Sequence, residues 1–381
     1  MDKAPEKRLA SLDGVRGWAA LFVLVSHLVC GLFVDLTPVS KIPVLNALLD
    51  GHLAVFVFFV LSGFALTTKF VEKPAQYSVM QAVAARYFRL APPIALLSLI
   101  AYALLKSHLM FNAEAATLTR LPQWLGSFYT FDASVLSWAK FSLYWVFFKY
   151  DAVRSYNSNL WTMPIEFQGS MLVFSIVAVF VTSVRRNFFT LPIAAAAGIF
   201  LLTAPTLACF IFGYILAECY HSPLQDHRVI RAVALAILPV VIGIKTLFPY
   251  EHTNDTCNAV LASGIVFAAV FAPFYRRLFS LRLSRFLGKI SFPLYLVQIP
   301  LICSYSCFVF LRLSARGLPI AQTATIVTLS SMLLALCVAW MLLPVERFSI
   351  YFSGRAGERL VQFFSIQKRA PIAHGSPGLS A

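Results

Sequence analysis

Arg16 and His27 lie in one otherwise apolar stretch, LASLDGVRGWAALFVLVSHL, at residues 9–28. Eleven steps along an α-helix turn about 1100°, three full turns plus about 20°, and climb about 16 Å. The two side chains are therefore expected on one helix face, a guanidinium at the membrane boundary and an imidazole halfway across. An ionisable group at that depth is costly and turns toward a cavity, a partner or a substrate path. Imidazole is also the side chain best matched to proton transfer near neutral pH. His27 thus reads either as a general base or acyl relay, or as a packed histidine bonded to a neighbouring helix. Arg16 alone reads as a topology anchor, and the shared face raises a functional part for both.

Arg86 and Arg89 are three apart, so on a helix they are neighbours on one face. Guanidinium forks match phosphate oxygens, and such a pair suits a phosphate-bearing donor as well as it suits a charge anchor. Glu166 stands four residues before Ser170, after Trp161-Thr-Met-Pro164 and inside an apolar run. A carboxylate there wants a cation, either an arginine or a histidine imidazolium, and a structural interhelical pair satisfies that need equally. His221 and Asp226 have the spacing of a soluble acyltransferase motif but lie in a polar loop without companion motifs, so chance accounts for them. No GxSxG, Walker A or HExxH motif occurs, and the seven cysteines form no CxxC or Cys/His ligand pattern. No metal site and no bound cofactor are expected.

The elements that carry these residues follow from composition. Of 381 residues, 59% are hydrophobic and 12% charged, which excludes an ordinary soluble domain and fits an all-α polytopic membrane protein. The net charge of +15 lies in short clusters between apolar runs, which reads as topogenic charge rather than a nucleic-acid face. Apolar runs predict about ten transmembrane helices, near 17–36, 51–68, 90–106, 163–184, 188–204, 206–220, 232–249, 257–275, 290–311 and 322–343. Pro92-Pro93 is expected to open the third, since proline in a first turn loses no helix bond. Residues 107–160 hold no clean span and are expected to form interfacial helices or a re-entrant cap.

With the N-terminus in the cytoplasm, most of the 31 Lys and Arg residues fall on the cytoplasmic side, and both termini lie there. Arg86 and Arg89 then mark the cytoplasmic mouth of span three, and Glu166 the outer end of span four. The first span is expected to stay as an uncleaved anchor. One transmembrane domain is expected over 1–370, followed by a disordered tail at 371–381.

Five segments in order resemble a known family: the Arg-x10-His run, FFVLSGF at Phe58–Phe64, RYFR at Arg86–Arg89, LWTMPIEFQGS at Leu160–Ser170 and SFPLYLVQIPL at Ser291–Leu301. Together they are similar to the acyltransferase 3 family of integral membrane enzymes, which O-acylate carbohydrates and other hydroxylated acceptors. The resemblance implies an acyl-CoA co-substrate, usually acetyl-CoA, reached from the cytoplasm. It also implies an essential Arg16–His27 pair, and a donor-associated Arg86–Arg89 pair. Many relatives have a histidine where this chain has Gln298, so no proton transfer is assigned there, although the amide can still hydrogen-bond a substrate. Some relatives append a soluble esterase-like domain; here transfer is expected to finish in the membrane core or on another protein.

The expected activity is transfer of an acyl, usually acetyl, group from acyl-CoA to a hydroxyl of a carbohydrate or other acceptor. His27 and Arg16 would act at the reaction centre with Glu166 orienting or balancing charge, and Arg86 and Arg89 would bind donor. His27 would either deprotonate the acceptor or carry the acyl group as an acyl-imidazole. The expected location is an integral multi-pass membrane protein, in the inner membrane if the source is prokaryotic, with the bilayer and both substrates as partners and no nucleic acid. A proton-coupled transporter or lipid-linked sugar flippase is the alternative, because ten spans with buried Arg, His and Glu suit a carrier too.

Overall fold

A computed structural model describes residues 9–181, 190–248 and 253–367. Among them there is no strand, and the chain is an all-α polytopic membrane protein. Among the described residues, seven helices are long and apolar enough to cross a membrane. Three shorter apolar helices, Leu191–Thr203, Pro205–Tyr220 and Asp255–Phe271, stand where spans five, six and eight are expected.

Eleven principal helices carry the fold: α1 (Ala10–Ser26), α2 (Gly51–Glu72), α3 (Val79–Lys106), α4 (Thr162–Ile176), α5 (Thr190–Thr203), α6 (Pro205–Tyr220), α7 (Arg228–Leu247), α8 (Asp255–Phe271), α9 (Arg282–Leu301), α10 (Ile320–Met341) and α11 (Leu343–Gln367). Helix α1 begins seven residues earlier than expected and continues as a π-helical turn over His27–Leu32. The α-helix is regular up to Ser26, so the register between Arg16 and His27 is unbroken as far as the histidine.

Helix α1 is the hub because it is apolar on two sides. Leu12, Val15, Ala19 and Val23 pack into a cluster shared with α2, α4, α6 and α8. Ala20, Leu24 and Leu28 pack into a second one with α3, α9, α10 and the segment before α4. Its closest neighbour is α9, and glycine permits the approach. A Cβ on Gly17 would strike the backbone of Leu287 and Gly288, and one on Gly288 would strike the Asp13 carbonyl. Small residues at helix crossings let membrane helices pack by van der Waals contact where no hydrophobic drive exists between them.

Pro92 and Pro93 do not open a helix; they lie in the middle of α3, which starts at Val79 behind a Ser78 cap. Each proline removes an N–H and so orphans the carbonyl four residues back, those of Phe88 and Arg89. Ser349 on α11 supplies the replacement, with Oγ donating to Arg89 O at 2.6 Å and lying 3.4 Å from Phe88 O. A helix in lipid needs each backbone group satisfied, and a neighbouring hydroxyl does this where proline intrudes. The region after Pro344, read from sequence as a basic tail, is thus α11, packed along α3. Residues 371–381 lie outside the described residues.

The segment between α3 and α4 folds as a cap of short helices, Asn112–Thr119, Val135–Lys140 and Val146–Phe148, as expected for 107–160. Tyr156 anchors it, fully buried among Tyr102, Phe131 and Phe141. A 3-10 turn at Ser158–Trp161 then leads into α4.

Candidate active site

Arg16, Arg86, Arg89 and Glu166 line one cavity of about 480 Å³. It opens among the first turns of α1, α4, α9 and α11, the first half of α3 and one face of α2. Six cationic side chains face three carboxylates in it: Arg16, Arg86, Arg89, Arg285, Lys289 and Arg347 against Asp13, Glu166 and Glu346. A net positive cavity with low-dielectric walls concentrates an anionic ligand.

The ion pairs divide these cations into two kinds. Arg86 is held by Glu166 through Nη2 and donates from Nε to Ser170 Oγ at 2.7 Å. Ser170 in turn donates to the Glu166 carbonyl at 2.6 Å, so the i, i+4 spacing read from sequence becomes one clamp around the guanidinium. Glu166 therefore takes an arginine, not His27, as its cation. Charge alone places Arg86 and Glu166 at opposite ends of their spans, whereas in the fold the two side chains are in contact. Helix α3 starts so early that Arg86 is two turns inside it rather than at its mouth.

Arg89 donates from Nη2 to Glu346 at 2.8 Å on α11, while its Nη1 and the other Glu346 oxygen are buried without a hydrogen-bond partner. Arg16 lies 3.9 Å from Asp13, a loose i, i+3 contact. Among the described residues, Arg285, Lys289 and Arg347 have no carboxylate partner. In the sequence these three read only as topogenic charge, because a basic cluster between spans looks the same whether it faces solvent or a cavity.

His27 faces a different space. With Ser26, Cys30, Gly31, Val34, Leu121 and Trp124 it lines a hollow of about 330 Å³. The Trp124 ring lies against the imidazole, with centroids 6.1 Å apart. Polar side chains stand between this hollow and the large cavity. Thr162 and Tyr295 line the large cavity, with their hydroxyls 2.9 Å apart. Both donate to the Asn159 carbonyl, Thr162 at 3.2 Å. The Asn159 side chain lies behind them and meets His27, Oδ1 to Nε2 at 3.1 Å. Arg16 and His27 thus share a helix but line two spaces, separated by residues from α4, α9 and the turn before α4.

Asn159, one residue before the LWTMPIEFQGS run, and Tyr295, an aromatic among many, carry no local signal in the sequence that marks them for this place. Gln298 is fully buried and bonded to protein on both ends of its amide, so it meets no substrate here. His221 bonds Thr68 and Asp226 bonds Arg231, so they form no joint site. No cluster of metal-ligating side chains occurs among the described residues.

An acyltransferase domain model matches residues 9–343, which takes in every residue of both cavities except Glu346, Arg347 and Ile350. The chain belongs to the acyltransferase 3 family. It is an acyltransferase and an integral, multi-pass membrane protein. The O-acetyltransferase PaAT-1 of Phomopsis amygdali is 23% identical over 364 residues, spanning 76% of this chain and 71% of that protein. No solved structure matches significantly.

Proposed function

We propose that this acyltransferase moves an acyl group, acetyl as the relative's name suggests, from acyl-CoA to a hydroxyl of a carbohydrate or other acceptor, with His27 at the reaction centre. The observation that carries this reading is the pairing of a cation-rich cavity with a histidine-lined hollow across a thin polar partition. The donor's phosphates suit Arg285, Lys289 and Arg347, which have no carboxylate partner among the described residues, whereas the charge of Arg89 is already paired with Glu346. Arg86, clamped by Glu166 and Ser170, shapes the cavity wall and takes little further anion. Arg16 lines the same cavity, in the segment that leads to His27, and suits the donor's acyl end.

Transfer then requires the acyl arm to cross the partition of Thr162, Tyr295 and Asn159. In direct transfer, His27 takes the acceptor's hydroxyl proton as the oxygen attacks the thioester carbonyl. The tetrahedral intermediate collapses, the C–S bond breaks, and the imidazolium returns the proton to the CoA thiolate. Trp124 offers the acceptor an aromatic face beside the reacting nitrogen. The cavity of Arg285 and Lys289 would face the cytoplasm, with both termini on that side and one transmembrane domain over 1–370.

The test is turnover of radiolabelled acetyl-CoA by the full chain in nanodiscs with a panel of glycans and other hydroxylated acceptors. Label transfer that needs His27 supports the reading. Hydrolysis only, or transfer from a donor without CoA, overturns it.

A further inference from the structure

His27 has two ring nitrogens, and a base uses the one that carries no proton. We infer that Asn159, oriented by Gln298 and the Tyr295 carbonyl, holds His27 as the Nε2–H tautomer and leaves Nδ1 as the nitrogen presented to substrate. The inference rests on the proposed role of His27 and adds the residue that positions it.

Two backbone carbonyls fix the direction of each amide. Asn159 Nδ2 donates to Tyr295 O at 3.2 Å, and Gln298 Nε2 donates to Ala20 O at 2.9 Å. A carbonyl oxygen only accepts, so flipping either amide would set oxygen against oxygen. The two amides also agree with each other, since Asn159 Nδ2 lies 3.3 Å from Gln298 Oε1. Asn159 must therefore show Oδ1 to the imidazole, and a bare amide oxygen accepts from N–H alone. The facing nitrogen, Nε2, carries the proton.

Nδ1 has no hydrogen-bonding partner among the described residues, while His27 borders the hollow beside Trp124. Asn159 and Gln298 are both buried, so water does not compete for these bonds. The choice of amide matters chemically. It selects a tautomer as a carboxylate would, without a negative charge that would favour the imidazolium. The Gln298 amide, bonded back to α1 at Ala20, ties the partition to the helix that bears His27.

The test uses the full chain in nanodiscs, labelled with ¹⁵N-histidine, and assigns His27 by difference from His27→Gln. The expected spectrum shows Nε2 protonated and Nδ1 bare, and Asn159→Leu should lose that preference. A His27 spectrum with Nδ1 protonated, or an unchanged spectrum in folded Asn159→Leu, overturns the inference. Kinetics supply a second readout. Asn159→Leu should lower kcat by about 10²-fold with KM for acetyl-CoA unchanged, and Asn159→Asp, which keeps the accepting oxygen, should recover part of the loss. A rise in KM with normal kcat would make Asn159 a structural residue and sink its positioning role. Near-normal turnover of His27→Gln would instead remove the proposed role of His27, while the wild-type spectrum would still decide the tautomer.

Discussion

Arg86 on α3 and Glu166 on α4 form an ion pair whose two side chains are each 12% exposed, and Ser170 Oγ accepts from the arginine's Nε at 2.7 Å. The pair spans the wall of the large cavity and ties together two helices that also flank the capping segment. Removing one partner from such a pair strands the other charge, whereas the pair as a whole adds little net stability. Glu166→Gln should therefore destabilise the protein by about 3–5 kcal/mol. Arg86→Met with Glu166→Leu should restore much of that. Thermal unfolding in one detergent checks both, and a single mutant as stable as wild type would show that the pair is not buried as described.

Glu166 sits in the cavity wall, so its loss also disturbs donor binding. The free cations separate that effect. Replacing Arg285, Lys289 or Arg347 singly by Gln should weaken acetyl-CoA binding by about 10- to 100-fold, the worth of one charge-assisted hydrogen bond of about 1.5–3 kcal/mol. Fold stability should hold, and Arg86→Lys should weaken binding less than these three do. Equilibrium binding of labelled CoA measures this. Wild-type affinity in all three Gln variants would place the phosphates elsewhere.

His27→Gln keeps a hydrogen-bonding side chain and removes the titration. With the protein folded, transfer should fall by about 10²–10⁴-fold, the usual worth of a general base. A packed histidine would tolerate the change, so a folded variant with near-wild-type rate would rule out the base.

Ser349→Ala should leave the Arg89 carbonyl unsatisfied and cost about 1–3 kcal/mol. Pro93→Ala restores the missing N–H within α3, so the same serine change should cost far less in that background. A double-mutant cycle by thermal unfolding reads the coupling. Additive costs would mean that the hydroxyl does not replace the helix bond.

Membrane sidedness can be read by cysteine labelling in a background without the seven native cysteines. Ser127 in the cap and Arg282 at the start of α9 are exposed and should label from opposite faces. Labelling of both from one face would overturn the proposed topology.

The amino-acid sequence by itself determined the class of this protein. Apolar runs near 20 residues can satisfy their backbone only as helices in lipid, so the all-α membrane fold, the order of its helices and the absence of a clean span in 107–160 were legible. The five family-like segments were legible as well, and with them Arg16, His27, Arg86, Arg89 and Glu166 as residues to watch. Helix ends were less so, because Val79–Phe88 is polar enough to look like a loop and is helical through its contact with α11.

Partners were decided only by the tertiary structure. Nothing local in the chain says that Glu166 faces Arg86 rather than His27, since either cation would satisfy a buried carboxylate. Nothing local separates Arg285, Lys289 and Arg347 from ordinary positive-inside charges, because hydropathy is blind to whether a charge meets water, headgroups or a cavity. The proton position on His27 is the furthest from local reading. It depends on Asn159, 132 residues away, and through it on Gln298 and the carbonyls of Tyr295 and Ala20, groups that meet only when α1, α9 and the turn before α4 close on one another.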